Sequence, residues 1–174
     1  MRIIAGRWRG HTIRAPGRGT RPTTDRVREA WMSMMQPVLP GARVLDLFAG
    51  SGALGLETLS RGAAHATFVE RSGRALKALN ANIRALGAES ETRVVRDDAG
   101  RFAEGLEPGA YDIVVADPPY ETGEAAALAQ LYLRRPFADT LWIEHRVTDT
   151  MPESETSDTR RYGDTAITRY LRPD

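Results

Sequence analysis

Residues 45–55 read Leu45-Asp46-Leu47-Phe48-Ala49-Gly50-Ser51-Gly52-Ala53-Leu54-Gly55. The preceding run, ARVLDLF over 42–48, is apolar enough to predict a buried strand. Gly50, Gly52 and Gly55 then follow at the spacing G-x-G-x-x-G, and a helix is predicted near 53–61. A strand, a glycine loop and a helix in that order form the ligand-holding unit of open α/β sheets.

The same alternation continues outward. Strands are predicted at 66–70, 92–96, 111–117 and 140–146, with helices at 72–86, near 99–105 and at 123–134. Residues 147–159 are polar and read as a loop, and 160–171 as a final hairpin turning at Gly163-Asp164. Strands alternating with helices predict an α/β, Rossmann-like fold: a mostly parallel sheet with helices on both faces and an antiparallel terminal hairpin. Upstream, Thr24 or Asp25 caps a helix whose apolar face is Val27, Ala30, Trp31, Met34 and Met35. Residues 2–16 predict a small β-hairpin around a glycine-rich turn, and 17–24 a loop. The chain thus divides into a basic arm, 1–24, and a body, 25–174.

The glycine loop alone does not choose a cofactor. Glu70 ends the second strand 20 residues after Gly50, which also fits a dinucleotide site. Asp46 argues the other way. At the carboxyl end of the first strand its charge would repel a pyrophosphate, whereas S-adenosylmethionine carries an ammonium and a sulfonium that an acidic pocket attracts. The glycines let the backbone approach the methionine and ribose portions. Glu70 accepts from the ribose hydroxyls, and Asp98-Ala99 reaches the adenine amino group. The expected cofactor wall is completed by Phe48, Ala49, Ser51 and Gly52 in the loop, Arg71 after the second strand, and Asp117. Asp97 reads as a solvated neighbour of Asp98.

Residues 117–120, Asp-Pro-Pro-Tyr, end the apolar strand YDIVVAD and are the most informative tetrapeptide in the chain. The amino group of a nucleic-acid base is a poor nucleophile because its lone pair is delocalised into the ring. Two acceptors aimed at its hydrogens, the Asp117 carboxylate and the Pro118 carbonyl, favour the pyramidal form that attacks a methyl group. Pro118 and Pro119 hold these acceptors rigid, and Tyr120 offers a flat face on which an extruded base stacks. No metal is implied.

Composition narrows the chemistry. The 174 residues contain no cysteine, which excludes disulfides, thiolate zinc sites and methylation of a pyrimidine carbon through a cysteine adduct. No apolar run is long enough to span a membrane, and no secretory signal is evident, which points to a cytoplasmic protein. The net charge of +1 is unevenly spread. Residues 1–28 hold eight arginines and one acid, a net of +7, against −6 over the rest. Such asymmetry suggests a nucleic-acid-binding arm. Arg7, Trp8 and Arg9 combine charge with an aromatic, as single-stranded RNA sites often do, and Arg21, Thr23 and Arg26 are placed over the pocket. Trp31 and Trp142 read as core, and His65 and His145 as structural.

Taken together, RPTTDRVRE over 21–29, LDLFAGSGALGLE over 45–57 and DPPY over 117–120 resemble the bacterial 16S ribosomal RNA guanine-N2 methyltransferases, the RsmD family. DPPY by itself is shared with N6-adenine and N4-cytosine methyltransferases; the combination is more specific. The resemblance covers nearly the whole chain. It implies a seven-stranded class I methyltransferase sheet, an N-terminal hairpin that contacts RNA, and a substrate inside an assembled or assembling small ribosomal subunit. It further implies that the glycine loop, Glu70 and Asp98-Ala99 hold S-adenosylmethionine, and that Asp117, Pro118 and Tyr120 hold the target guanine. Size suggests a monomer. The competing readings are an N6-adenine methyltransferase, an NAD-binding oxidoreductase and a non-catalytic RNA-binding protein.

Overall fold

In the computed structural model, which describes residues 1–17 and 24–174, the chain alternates strand and helix from Arg43 onward as its hydrophobic pattern predicts. The elements are α1 (Asp25–Met35), β1 (Arg43–Leu47), α2 (Ala53–Ser60), β2 (His65–Glu70), α3 (Gly73–Leu86), β3 (Thr92–Arg96), α4 (Ala99–Glu104), β4 (Tyr111–Ala116), α5 (Glu124–Arg134), β5 (Ala138–Arg146), β6 (Ser157–Tyr162) and β7 (Thr165–Leu171). The strands form one seven-stranded sheet in the order β3-β2-β1-β4-β5-β7-β6. The first five are parallel to their neighbours, while β7 runs antiparallel to β5 and β6. Going out from β1, the chain builds β2 on one side and β4 on the other. The switch point between them is where open α/β sheets hold ligands.

Period-two alternation sorts the strand side chains into two layers. Val44, Phe68, Ile113 and Val115 join α1, α2 and α3 in one cluster. Leu45, Leu47, Val69, Val114 and Ala116 join α4 and α5 in the other. Asp46 shares parity with Val44 and therefore sits under α2, with 1% of its surface exposed. Two boundaries differ from expectation by more than one residue. β5 begins at Ala138 rather than 140, because Ala138 pairs with Tyr111; β6 begins at Ser157 rather than 160, because its exposed polar residues hide the strand period.

Thr24 caps α1, its hydroxyl accepting from the Val27 amide at 3.3 Å. The buried face is Val27, Arg28, Trp31, Met32 and Met35, so Arg28 and Met32 take the inward places expected of Ala30 and Met34. The arm is less regular than a hairpin: one antiparallel bridge joins Arg2 and Thr12. Ile3 and Ile13 drop into the α1–α3 core, so the arm is packed onto the body. Gly6, at φ +83°, lies so close to the Ser60 carbonyl that a Cβ would overlap it at 1.8 Å.

Candidate functional site

A cavity of about 510 Å³ opens at the carboxyl ends of β1, β2 and β4, at the switch point. One wall is the glycine loop. Phe48 and Gly50 adopt left-handed backbone at φ 60° and 56°, and Gly52 at φ 85°, turning the chain sharply from β1 into α2. A non-glycine residue in that region is uncommon, and Phe48 is held there on the cavity wall. Gly55 serves close packing: a Cβ there would lie 2.4 Å from the Phe68 ring and 3.1 Å from the Asp46 carboxylate.

The acids of this wall are fixed by backbone amides. Asp46 accepts from the Gly55 amide at 2.9 Å. Burial pushes its pKa well above the ordinary value, against the Gly55 bond, and the charges of Asp117 and Glu70 push the same way. Glu70 accepts from the Gly50 amide at 2.8 Å with one oxygen and from the Arg71 and Ser72 amides at 2.9 and 2.8 Å with the other. Glu70 is therefore a brace for the glycine loop as well as a ribose acceptor by expectation. Asp98 caps α4 through the Arg101 amide and lies 3.6 Å from Arg71. Asp97 also lines the cavity, where solvent alone was expected. Its carboxylate is held by Arg101 at 2.8 Å, and that bond lowers its pKa.

The opposite wall is the end of β4 with β5 and β7. Asp117, Pro118, Pro119 and Tyr120 all line the cavity. The Tyr120 hydroxyl donates to Glu144, which is 3% exposed, at 2.9 Å and lies 3.3 Å from the Thr165 hydroxyl. The Arg146 guanidinium covers the Tyr120 ring at 4.9 Å. Burial raises the Tyr120 pKa, partly offset by Thr165 and reinforced by Glu144, so the phenol stays protonated. Glu144, Thr165 and Arg146 lie far along the chain from the tetrapeptide, and no local pattern marks them.

Nearly every expected catalytic and cofactor residue meets at this one cavity; Gly52 stands just behind the lining, packed on Leu79 and Phe68. Of the expected RNA contacts, the described ones (Arg7, Trp8, Arg9 and Arg26) do not line the cavity. Arg7 stacks over Trp8 at 4.0 Å and pairs with Glu91. Trp8 is 9% exposed and packs in the α1–α3 core. The Arg7–Arg9 turn docks at the C-terminal end of α2, where Trp8 N donates to the Ser60 hydroxyl. The cavity lies at the N-terminal end of that helix, about 12 Å away at 1.5 Å per residue. Arg9 and Arg26 are exposed and line no part of the cavity. Arg21 and Thr23 lie outside the described residues.

Sequence reasoning missed the base of the arm. Met1, Ala15 and Pro16 line the cavity, as do Thr24, Val27 and Arg28 at the start of α1. Asn82 in α3 joins arm to loop: it accepts from Arg14 N at 2.8 Å and donates to the carbonyls of Arg14 and Ser51 at 3.0 and 2.9 Å. Among the described residues the lining carries six acids (Asp46, Glu70, Asp97, Asp98, Asp117, Glu144) and two arginines (Arg28, Arg71). That balance suits a ligand rich in positive charge and hydroxyl donors, and opposes a pyrophosphate.

A family profile described as "Conserved hypothetical protein 95" matches residues 1–171. The "Putative rRNA methyltransferase YlbH" of Bacillus subtilis is 40% identical over 134 residues, covering 75% of this chain and 73% of that protein. The "Ribosomal RNA small subunit methyltransferase D" of Escherichia coli K12 is 46% identical over 125 residues, 71% of this chain and 62% of that one. Among solved structures, the "Putative methyltransferase yhhF from Escherichia coli" superposes with a TM-score of 0.83 at 38% identity, covering 99% of this chain and 97% of that one. At 16–18% identity the fold alone is shared with S-adenosylmethionine-dependent methyltransferases, one solved with S-adenosylmethionine bound.

Proposed function

Because the chain belongs to the RsmD family, whose profile is described as "Conserved hypothetical protein 95", we propose that it transfers a methyl group from S-adenosylmethionine to the exocyclic N2 amino group of a guanine in 16S ribosomal RNA. The observation that carries this reading is that Asp117, Pro118 and Tyr120 share one cavity with Asp46 and Glu70. On this reading a base-amine site adjoins a cationic-cofactor site. The relatives named as ribosomal RNA methyltransferases support the substrate class. The substrate is the RNA within an assembled or assembling small subunit, and the protein works as a cytoplasmic monomer.

Asp46, the glycine loop from Phe48 to Gly52, Glu70, Arg71, Asp98 and Ala99 would hold the cofactor. When bound, S-adenosylmethionine supplies an electrophilic methyl group on a sulfonium. The chain's own residues do the rest. The Asp117 carboxylate and Pro118 carbonyl accept the two amine hydrogens, which draws the nitrogen out of conjugation and stabilises its developing positive charge. Pro118 and Pro119 keep those acceptors from reorganising. Tyr120, clamped by Glu144 and Thr165 at its hydroxyl and by Arg146 on one face, presents its other face to the extruded base. The methylated amine is briefly a strong acid, so no dedicated base is needed. Arg9 and Arg26, both exposed, contact RNA phosphates and make binding salt-dependent.

The test incubates the protein and isotopically labelled S-adenosylmethionine with small-subunit particles lacking this modification, then digests the RNA to nucleosides for mass spectrometry. N2-methylguanosine as the labelled product is the expected result. Labelled N6-methyladenosine would replace guanine with adenine, and no labelled nucleoside would remove the reading.

A further inference from the structure

The outward side of α3 is basic along its length. Arg74, Lys77 and Arg84 are exposed and share one face, opposite the buried Leu76, Leu79 and Ile83. The stretch from Arg71 to Ala88 contains no acid, whereas α1, α2, α4 and α5 each include at least one. Arg96, at the end of β3, brings its guanidinium to 3.7 Å from where a Gly73 Cβ would stand, beside the first turn of α3. Arg74, Lys77, Arg84 and Arg96 form no ion pair among the described residues. Neighbouring like charges on a helix weaken it slightly, so nothing in the fold itself rewards this stripe.

The surrounding acids are engaged elsewhere. Glu70 is held by the Gly50, Arg71 and Ser72 amides, Glu91 by Arg7, Asp97 by Arg101 and Asp98 by Arg71. Glu89 lies past the far end of the helix. Residues 18–23, outside the described ones, contribute Arg18 and Arg21 and no acid.

The stripe starts at the cavity. Arg71, just ahead of α3, lines it, and from Arg74 to Arg84 the helix runs about 15 Å at ~1.5 Å per residue. The base of the arm lies against the same helix. Gly17 passes so close to Arg74 that a Cβ would stand 3.1 Å from its Cζ, and the backbone of the exposed Arg14 is fastened to Asn82. Ala15 and Pro16, between these two points, line the cavity. A base drawn into the cavity leaves its flanking phosphates outside, and arginine and lysine are the side chains that meet them.

We propose that the exposed face of α3, bordered by Arg14 and Arg96, is the track for the sugar-phosphate backbone next to the methylated nucleotide. This rests on the RNA substrate of the reading above. Backbone contacts of this kind set affinity and register and leave the choice of base to the cavity.

The experiment compares two triple variants that lose the same charge. Arg74→Gln, Lys77→Gln and Arg84→Gln together remove the stripe and keep good helix formers. Arg134→Gln, Arg135→Gln and Arg172→Gln together act at the end of the sheet away from the cavity, where Arg135 and Arg172 make only exposed pairs with Glu107 and Asp139. Binding to small-subunit particles lacking the modification is measured across a range of salt, with S-adenosylmethionine affinity and steady-state methyl transfer alongside. The α3 variant is expected to bind particles at least ~10-fold more weakly at about 0.1 M salt. Its slope of log K against log salt should be shallower by about 2, three lost phosphate contacts at ~0.7 each. KM for particles rises with the loss of affinity, while kcat and cofactor affinity stay within ~2-fold. The remote variant keeps particle affinity within ~3-fold. Each single α3 substitution carries about a third of the slope change, so the test survives a triple variant that folds poorly. Equal weakening by both triple variants reduces the effect to net charge and overturns the track, as does an α3 variant that binds like the unaltered protein. Unaltered protein that binds particles and labels no nucleoside removes the methyl-transfer reading, and the salt comparison still decides the track. Unaltered protein that binds no particles overturns both.

Discussion

The glycine wall and the N-terminal arm are both fastened to α2, at opposite ends and by different means. At the N-terminal end, Gly55 presents its amide to Asp46 and its bare Cα to Phe68, within one strand-turn-helix unit. Toward the C-terminal end, the buried Glu57 accepts from the Ile4 amide at 3.0 Å and the Ala5 amide at 3.0 Å, and from Arg61 at 3.1 Å. The Ser60 hydroxyl donates to the Ala5 carbonyl at 2.6 Å. One fastening is local, nine residues from donor to acceptor; the other joins groups more than fifty residues apart. A local device leaves a spacing that can be read, and a long-range one leaves single residues that look ordinary until the chain has folded.

Changes at the two ends of α2 should therefore separate. Glu57→Gln is expected to cost about 3 kcal/mol, since it deprives two part-buried amides and the nearly buried Arg61 of one buried carboxylate. Hydrogen exchange should show Ile4 and Ala5 amides losing protection while Gly55 keeps its own. Equal loss at both ends would mean that arm and loop form a single cooperative unit. Gly55→Ala is expected to cost about 1–3 kcal/mol, because the added methyl meets the fully buried Phe68 ring and the Asp46 carboxylate rather than any movable chain end. Here thermal unfolding should shift downward and cofactor affinity should fall with it, with the arm amides still protected.

The smallest effect is on proton linkage. Burial raises the Asp46 pKa in the fold, so its contribution to stability is full below the unfolded-state pKa and fades as pH rises through the folded one. A cationic ligand favours the ionised form. Binding of S-adenosylmethionine should thus release a proton and tighten, by less than tenfold, as pH rises through that region. Calorimetry in two buffers of different ionisation enthalpy reads the proton directly, and Asp46→Asn should abolish it. Identical proton release in that variant would contradict the assignment of the linkage to Asp46.

Legibility followed the same division. The parallel strands, the cap at Thr24, the turn at Gly163-Asp164 and the meeting of Asp46, Glu70 and Asp117 all follow from period, turn chemistry and motif spacing. The core packing of Trp8 was not legible because an aromatic between two arginines looks the same on RNA and on a core; it is the fold that places Trp8 in one cluster with Ile3 and Ile13. Arg28 escaped because an inward-facing arginine breaks the apolar face of a helix instead of extending it. Glu144 and Asn82 escaped because each acts through partners on other elements.

The most direct test of the account separates holding the cofactor from activating the amine. Single-turnover methyl transfer and S-adenosylmethionine affinity are measured side by side for Asp117→Ala and the unaltered protein. The account predicts transfer slowed by at least about 10²–10³-fold with cofactor affinity within about threefold. A near-normal transfer rate, or a rate loss fully explained by lost cofactor binding, would contradict the claim that the end of β4 prepares the base for attack.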